Sequence, residues 1–164
     1  MGEEKVAVFL DRDGVLNKKA KDHCYVRRCA DLKRRMFPLV KEDIKQIKKK
    51  GYMVIIITNQ AGINKGVIDE LEYNRMNRHL TNLGVDMVYT CPHDYKKERC
   101  RCRKPSPKMI FQAAKDWGIN LKKSWMVGDD EKDMEAGLKA GCIVFRGTLN
   151  EFVNISSWGE KQDD

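Results

Sequence analysis

Two groups of residues in this chain have the types and spacing to do chemistry. The first is acidic. Asp11-Arg-Asp-Gly-Val-Leu-Asn17 follows one apolar run, Thr58-Asn59-Gln60 a second, and Gly128-Asp-Asp-Glu-Lys-Asp133 a third. A carboxylate is a competent nucleophile toward phosphorus and gives an aspartyl phosphate that water can cleave. A second carboxylate two residues on can protonate the leaving oxygen and then activate the water. Carboxylates gathered at one point repel one another unless a hard cation sits among them. Mg²⁺ suits that place, because it takes oxygen ligands and bridges to phosphate oxygens. A hydroxyl such as Thr58 and an ammonium such as Lys104 can hold a transferring phosphoryl group and neutralise its charge.

The second group is soft. Cys91-Pro-His93 and Cys100-Arg-Cys102 offer three thiolates and one imidazole, the set of a tetrahedral structural zinc site. Four protein ligands leave no open position, so such a zinc would be structural. Arg103 and Lys104 follow the last ligand directly, so fixing Cys102 would fix them. Cys24, Cys29 and Cys142 show no such pattern and read as ordinary residues.

Elements must bring these groups together, and the pattern alternates. Residues 6–10 form a short apolar strand followed by a polar loop. Val40, Ile44 and Ile47 recur at helical spacing up to Lys49, with Gly51 as a stop. The β-branched run 53–57 predicts a strand. Residues 69–83 predict a helix with Leu71, Met76, Leu80 and Leu83 inward, and residues 85–90 a third strand. Residues 91–105 resist any periodic reading. Ser106-Pro107 supplies a cap and first-turn proline for a helix that presents Met109, Ile110, Ala113, Ala114 and Trp117 on one face. Residues 124–127, 131–140 and 142–145 then read as strand, helix and strand. This alternation predicts an α/β fold with a mainly parallel sheet. In such sheets the active site lies outside the carboxyl ends of the strands, where each acidic cluster falls. The extreme tail is expected to fray.

The 164 residues predict a single domain, 1–164, with the zinc loop at about 91–105. A hydrophobic share of 41% with 34% charged residues excludes disorder as the main state, because runs such as 53–57 need burial. No run approaches the roughly 20 apolar residues of a membrane span. The opening Met-Gly-Glu-Glu-Lys is unlike a secretory signal, so a cytoplasmic location is expected. The net charge of +8 suggests an anionic partner: a phosphate ester, a nucleic acid or an acidic surface. The run Lys48–Lys50 ends a helix, where cations suit the dipole.

With these motifs in place, the chain resembles the haloacid dehalogenase (HAD) phosphatase superfamily over residues 6 to about 147. Asp-Arg-Asp-Gly-Val-Leu-Asn is similar to its first motif, Thr58 to its second, Lys104 to its third and Gly-Asp-x-x-x-Asp to its fourth. The resemblance implies a HAD-like, Rossmann-like three-layer fold. It makes Asp11 the nucleophile and Asp13 the general acid/base. Thr58 and Lys104 would bind the phosphoryl group. Mg²⁺ would be held by Asp11, the Asp13 backbone carbonyl and Asp129, with Asp133 behind them orienting Lys104. The Cys-Pro-His and Cys-x-Cys-Arg-Lys-Pro loop narrows the resemblance to two capless branches, the D-glycero-D-manno-heptose-1,7-bisphosphate 7-phosphatases and the histidinol-phosphate phosphatases. Residues 58–66 and 103–109 are closer to the heptose branch, which implies that Arg103 and its neighbour Asn59 bind substrate, with Gln60 nearby.

A monomer acting on a small phosphorylated metabolite, a sugar bisphosphate, is therefore expected. Histidinol phosphate and nucleic-acid 3′-phosphate ends are the alternatives. Several positions depart from the heptose pattern. Cys24-Tyr-Val26 replaces a Gly-Tyr-Val stretch, Phe37-Pro-Leu39 a Phe-x-Pro-Gly, and Asp130 stands where a lysine often follows the fourth-motif Gly-Asp. Lys33-Arg-Arg35 adds positive charge that neither branch requires.

Overall fold

The computed structural model describes residues 4–21, 25–155 and 158. Five strands form one sheet: β1 (Val6–Leu10), β2 (Tyr52–Asn59), β3 (Met87–Cys91), β4 (Trp125–Gly128) and β5 (Ile143–Arg146). The order is β3-β2-β1-β4-β5 and every pairing is parallel. The helices are α1 (Cys29–Arg35), α2 (Val40–Lys49), α3 (Glu70–Asn82), α4 (Lys108–Trp117), α5 (Glu131–Ala140) and α6 (Leu149–Val153).

Alternation along the strands sorts side chains onto two faces. Val8, Leu10, Val54 and Ile56 join Ile44 and Ile47 of α2, Met76 and Leu80 of α3, and Phe152 of α6. Ala7, Phe9, Ile55 and Ile57 join Met109, Ile110 and Ala113 of α4 and Ala136 of α5. A central strand buried on both faces must be apolar throughout, which is why β1 and the middle of β2 carry no polar residue. The chain runs outward from β1 to β3, then returns to place β4 on the other side of β1. The strand order therefore reverses between β1 and β4, the place where parallel sheets open a crevice at their carboxyl ends.

The expected α/β class and the central elements stand, with boundaries moved by one or two residues. Thr58 and Asn59 end β2 from within, and Gly128 ends β4, so those clusters begin inside the strands. Ser106 does accept the Lys108 N–H at 3.3 Å, although the helix is bounded one residue later. Leu71 was expected inward and is 59% exposed. Five residues separate it from Met76, which turns it well away from the Met76–Leu80 face.

The loop after β1 contains α1, which the periodicity missed because only Leu32 of its seven residues is buried. Short α6 was missed as well. It closes an aromatic cluster in which Phe152 meets Trp125, Phe145 and Trp158 at centroid distances of 4.8–5.5 Å. Lys50 lies 4.1 Å above the Trp158 ring, so it does more than satisfy a helix end. Cys24 and the expected fraying of residues 160–164 lie outside the described residues. Among the described residues, no helix is long and apolar enough to cross a membrane.

Candidate active site

Asp11 lies one residue past β1, and its N–H donates to the Val127 carbonyl of β4 at 3.0 Å. That bond extends the β1–β4 pairing and sets the carboxylate in the crevice. Lys104, wholly buried, comes from the irregular loop. Its Nζ stands 2.9 Å from Asp11 Oδ1 and 2.7 Å from Asp133 Oδ1, and donates to the Ile57 carbonyl at 2.7 Å. Three oxygens thus lie within 3 Å of the ammonium. The loop is held to the sheet by Asn59, whose amide accepts from Lys104 N–H at 3.1 Å and donates to the Lys104 carbonyl at 3.3 Å. Asn59 thus braces Lys104.

Asp13 points to a different set of partners. It accepts from Arg12 Nη2 at 3.0 Å, Asn17 Nδ2 at 2.9 Å and Gln60 Nε2 at 2.9 Å. Gln60 also donates to Thr58 Oγ1 at 2.8 Å and accepts from Arg12 at 3.1 Å, tying the loop after β1 to the end of β2. Burial alone would raise the Asp13 pKa. The Arg12 charge and these hydrogen bonds overcome it and hold Asp13 below the usual carboxylate value. Asp11 goes the other way. Burial, helped by the charges of Asp133 and Asp13, pushes it up to about 6 against the pull of Lys104. Two carboxyl groups two residues apart therefore sit in opposite environments.

Asp11, Asp129 and Asp133 each place a carboxylate oxygen within 4.8 Å of the others. Asp133 has commitments already. It pairs with Lys104, and its other oxygen accepts the Asp130 N–H at 3.2 Å in the capping box that starts α5. Asp129 has fewer: among the described residues its buried Oδ1 has neither a hydrogen bond nor an ion pair, and its Oδ2 pairs with Lys19 at 2.6 Å. An unpartnered buried carboxylate oxygen beside a second carboxylate fits a hard cation. Two glycines make room for this cluster. A Cβ on Gly14, which has φ +92°, would fall 2.3 Å from Asp129 Oδ2, and one on Gly128 would fall 2.2 Å from Asp133 Cβ.

The Cys/His loop brings its four donors together as expected. Cys91 Sγ is 3.5 Å from His93 Nδ1 and 3.6 Å from Cys100 Sγ, and Cys102 Sγ is 3.2 Å from His93 Nδ1. Ideal tetrahedral zinc bonds imply edges of about 3.8 Å between thiolates and about 3.5 Å between thiolate and imidazole nitrogen. The donor set fits that ion. Beside it, the Arg103 guanidinium carbon lies 4.6 Å above the Tyr95 ring, and its Nη1 is buried with no partner. Cys29 and Cys142 lie apart from the donor set as free cysteines.

Arg12 and Lys19 were not foreseen as parts of the site. Arg12 did carry a signal: it stands between two carboxylates directly after a buried strand, and it is only 1% exposed. Lys19 carried none, because its partner is 110 residues away.

The chain matches the family model of haloacid dehalogenase-like hydrolases over residues 5–146. It is 36% identical over 177 residues to the D-glycero-beta-D-manno-heptose-1,7-bisphosphate 7-phosphatase of Haemophilus ducreyi, covering 98% of this chain and 91% of that protein. It is 40% identical over 155 residues to the D-glycero-alpha-D-manno-heptose-1,7-bisphosphate 7-phosphatase of Photorhabdus laumondii, covering 86% and 81%. The crystal structure of the D,D-heptose 1,7-bisphosphate phosphatase from B. bronchiseptica, complexed with magnesium and phosphate, superimposes with a TM-score of 0.76 at 29% identity, covering 89% of this chain and 84% of that one. Agreement over nearly the whole length, in sequence and in fold, makes this chain a member of the haloacid dehalogenase-like hydrolases, in the group of the heptose-1,7-bisphosphate 7-phosphatases.

Proposed function

We propose that this chain is a Mg²⁺-dependent, cytoplasmic phosphomonoesterase that removes the 7-phosphate of D-glycero-D-manno-heptose 1,7-bisphosphate. The observation that carries the proposal is the placement of the Lys104 ammonium between Asp11 and Asp133, at 2.9 and 2.7 Å. A buried cation beside a carboxylate at the strand ends suits transfer of a dianionic phosphoryl group.

In this reading an Asp11 carboxylate oxygen attacks phosphorus, and the bond from phosphorus to the sugar oxygen breaks. Asp13 gives that oxygen its proton. A water then loses a proton to Asp13 and attacks the phosphoaspartate, releasing phosphate and freeing Asp11. Arg12, Asn17 and Gln60 fix the Asp13 carboxylate, so its direction is set before substrate arrives. Thr58 and Lys104 would receive the phosphoryl oxygens, Lys104 turning one hydrogen from Asp11 to the phosphoryl group, and Asn59 holds Lys104 in place. Arg103, stacked on Tyr95 with Nη1 unpartnered, would contact the rest of the anionic substrate.

Asp11 and Asp129 would hold Mg²⁺ with the Asp13 backbone carbonyl, and Asp133 would act through Lys104. The ion, when bound, supplies charge neutralisation at the phosphoryl oxygens. Cys91, His93, Cys100 and Cys102 would hold one structural zinc, anchoring the loop that carries Arg103 and Lys104. We place all these parts in one domain acting as a monomer.

The test is phosphate release from the α and β anomers of the heptose bisphosphate, from histidinol phosphate and from a 3′-phosphorylated oligonucleotide. A kcat/KM for one heptose anomer at least about a hundredfold above both alternatives is expected, a difference of about 2.7 kcal/mol in transition-state binding. Equal or faster release from either alternative would overturn the substrate assignment.

A further inference from the structure

Among the described residues, the acidic crevice has three cations with direct carboxylate contacts at its Asp11, Asp13 and Asp129 positions, and they are not alike. The side chains of Lys104 and Arg12 are 0% and 1% exposed. Lys104 lies within 3 Å of three protein oxygens, and Arg12 is engaged by Asp13 and Gln60. Lys19 is 52% exposed and has one carboxylate partner among the described residues, Asp129 Oδ2 at 2.6 Å. Two of its three N–H donors therefore remain for something that arrives from solution.

Its position is built. The Lys18 N–H donates to the Arg35 carbonyl at 2.9 Å, and Arg35 Nη1 donates to the Lys19 carbonyl at 3.1 Å. The backbone at Lys19 is thus pinned to the last residue of α1, which gives part of the basic run 33–35 a task. The residue after Asp129 adds no cation there, since Asp130 is acidic and pairs with Lys132 at 3.3 Å.

We propose that Lys19 is a substrate-binding residue that takes the incoming phosphoryl dianion at the mouth of the site, at the expense of metal affinity. The proposal rests on the reading of Asp129 as a Mg²⁺ ligand. A cation beside a metal ligand attracts phosphate and repels Mg²⁺, so it must move the two affinities in opposite directions. A merely structural lysine would move both the same way or neither.

The experiment titrates Mg²⁺, and separately inorganic phosphate at saturating Mg²⁺, into wild-type protein, Lys19→Met and Lys19→Arg by calorimetry. Lys19→Met should bind Mg²⁺ about fivefold more tightly and phosphate about fivefold more weakly. KM for the sugar bisphosphate should rise by a similar factor, with kcat within about twofold. Lys19→Arg should restore most of each value, and Arg35→Ala should reproduce part of the Lys19→Met change by releasing the backbone. Phosphate affinity unchanged in Lys19→Met, or both affinities falling together, would overturn the role. Asp129→Asn separates the two readings: undiminished Mg²⁺ affinity in that variant would overturn the metal assignment itself, whatever Lys19 does.

Discussion

The carboxylate crevice and the Cys/His loop both gather ligands, and they do it in opposite ways. The crevice collects hard oxygens from three chain segments: the loop after β1, the end of β4 and the start of α5. Its Asp129 is a quarter exposed, and one of its buried oxygens has no partner. The Cys/His set collects four soft donors within twelve residues and closes on itself. An open hard site can exchange its ion and admit a substrate oxygen, whereas a closed soft site can only hold the chain in shape. Lys104 connects the two, because it follows Cys102 by two residues and ends between Asp11 and Asp133.

Breaking the connection should have the largest effect. Lys104→Met leaves two buried carboxylates facing each other with no cation between them. Turnover should fall by at least about three orders of magnitude, roughly 4 kcal/mol of barrier. A steady-state assay at saturating Mg²⁺ checks this, and a loss under tenfold would detach Lys104 from the chemistry.

Breaking only the closed site should act more gently and on stability first. Cys102→Ser removes one zinc ligand, and a cost of about 3 kcal/mol would lower the Tm by about 6–12 °C in a domain of this size. KM should rise as Arg103 and Lys104 loosen, while the Mg²⁺ dependence of turnover stays as it was. Elemental analysis of protein prepared without added metal should find about one zinc. An unchanged Tm together with no zinc would remove the structural-site reading.

The open site should be sensitive to bulk where the closed one is not. Gly14→Ala places a methyl group 2.3 Å from Asp129 Oδ2 at a backbone conformation with φ +92°. Overpacking of this kind costs about 1–3 kcal/mol, and here it should appear as weaker Mg²⁺ binding with the zinc content unchanged. Calorimetric titration reads the first and elemental analysis the second.

The sequence made the two ligand sets visible for different reasons. The Cys/His donors are close in the chain, so spacing alone revealed them. Asp11, Thr58 and Asp129 are distant from one another, but each follows or ends an apolar strand, and parallel topology brings strand ends together. The braces were not visible. Gln60 reaching Asp13, Asn59 gripping the Lys104 backbone and Lys19 meeting Asp129 depend on distances between loops that no local pattern encodes. The same limit hid α1 and α6, which bury too few residues to show a period, and it misplaced Leu71, whose apolar type disguised an exposed position.

Two smaller effects lie outside both sites and serve as controls. Leu39 has φ +64° and is 58% exposed, so a bulky residue holds a left-handed conformation with little burial in return. Leu39→Gly should stabilise the fold by about 1 kcal/mol, raising the Tm by about 2–4 °C without changing metal content or turnover. Cys142 is buried, and burial pushes its thiol up to about 12. It should resist alkylation at pH 8 in native protein, before and after zinc is removed, because reaction needs the thiolate. Mass mapping of the modified cysteines checks this, and rapid labelling of Cys142 in native protein would contradict it.

The central claim is that Asp11 carries the phosphoryl group, and rapid acid quench of a single turnover with heptose bisphosphate tests it most directly. Peptide mass spectrometry should find one added phosphoryl group on the segment containing Asp11, formed and lost at rates compatible with turnover, and absent in Asp11→Asn. Turnover at the wild-type rate in Asp11→Asn, or a phosphoryl group trapped on another residue, would contradict the account.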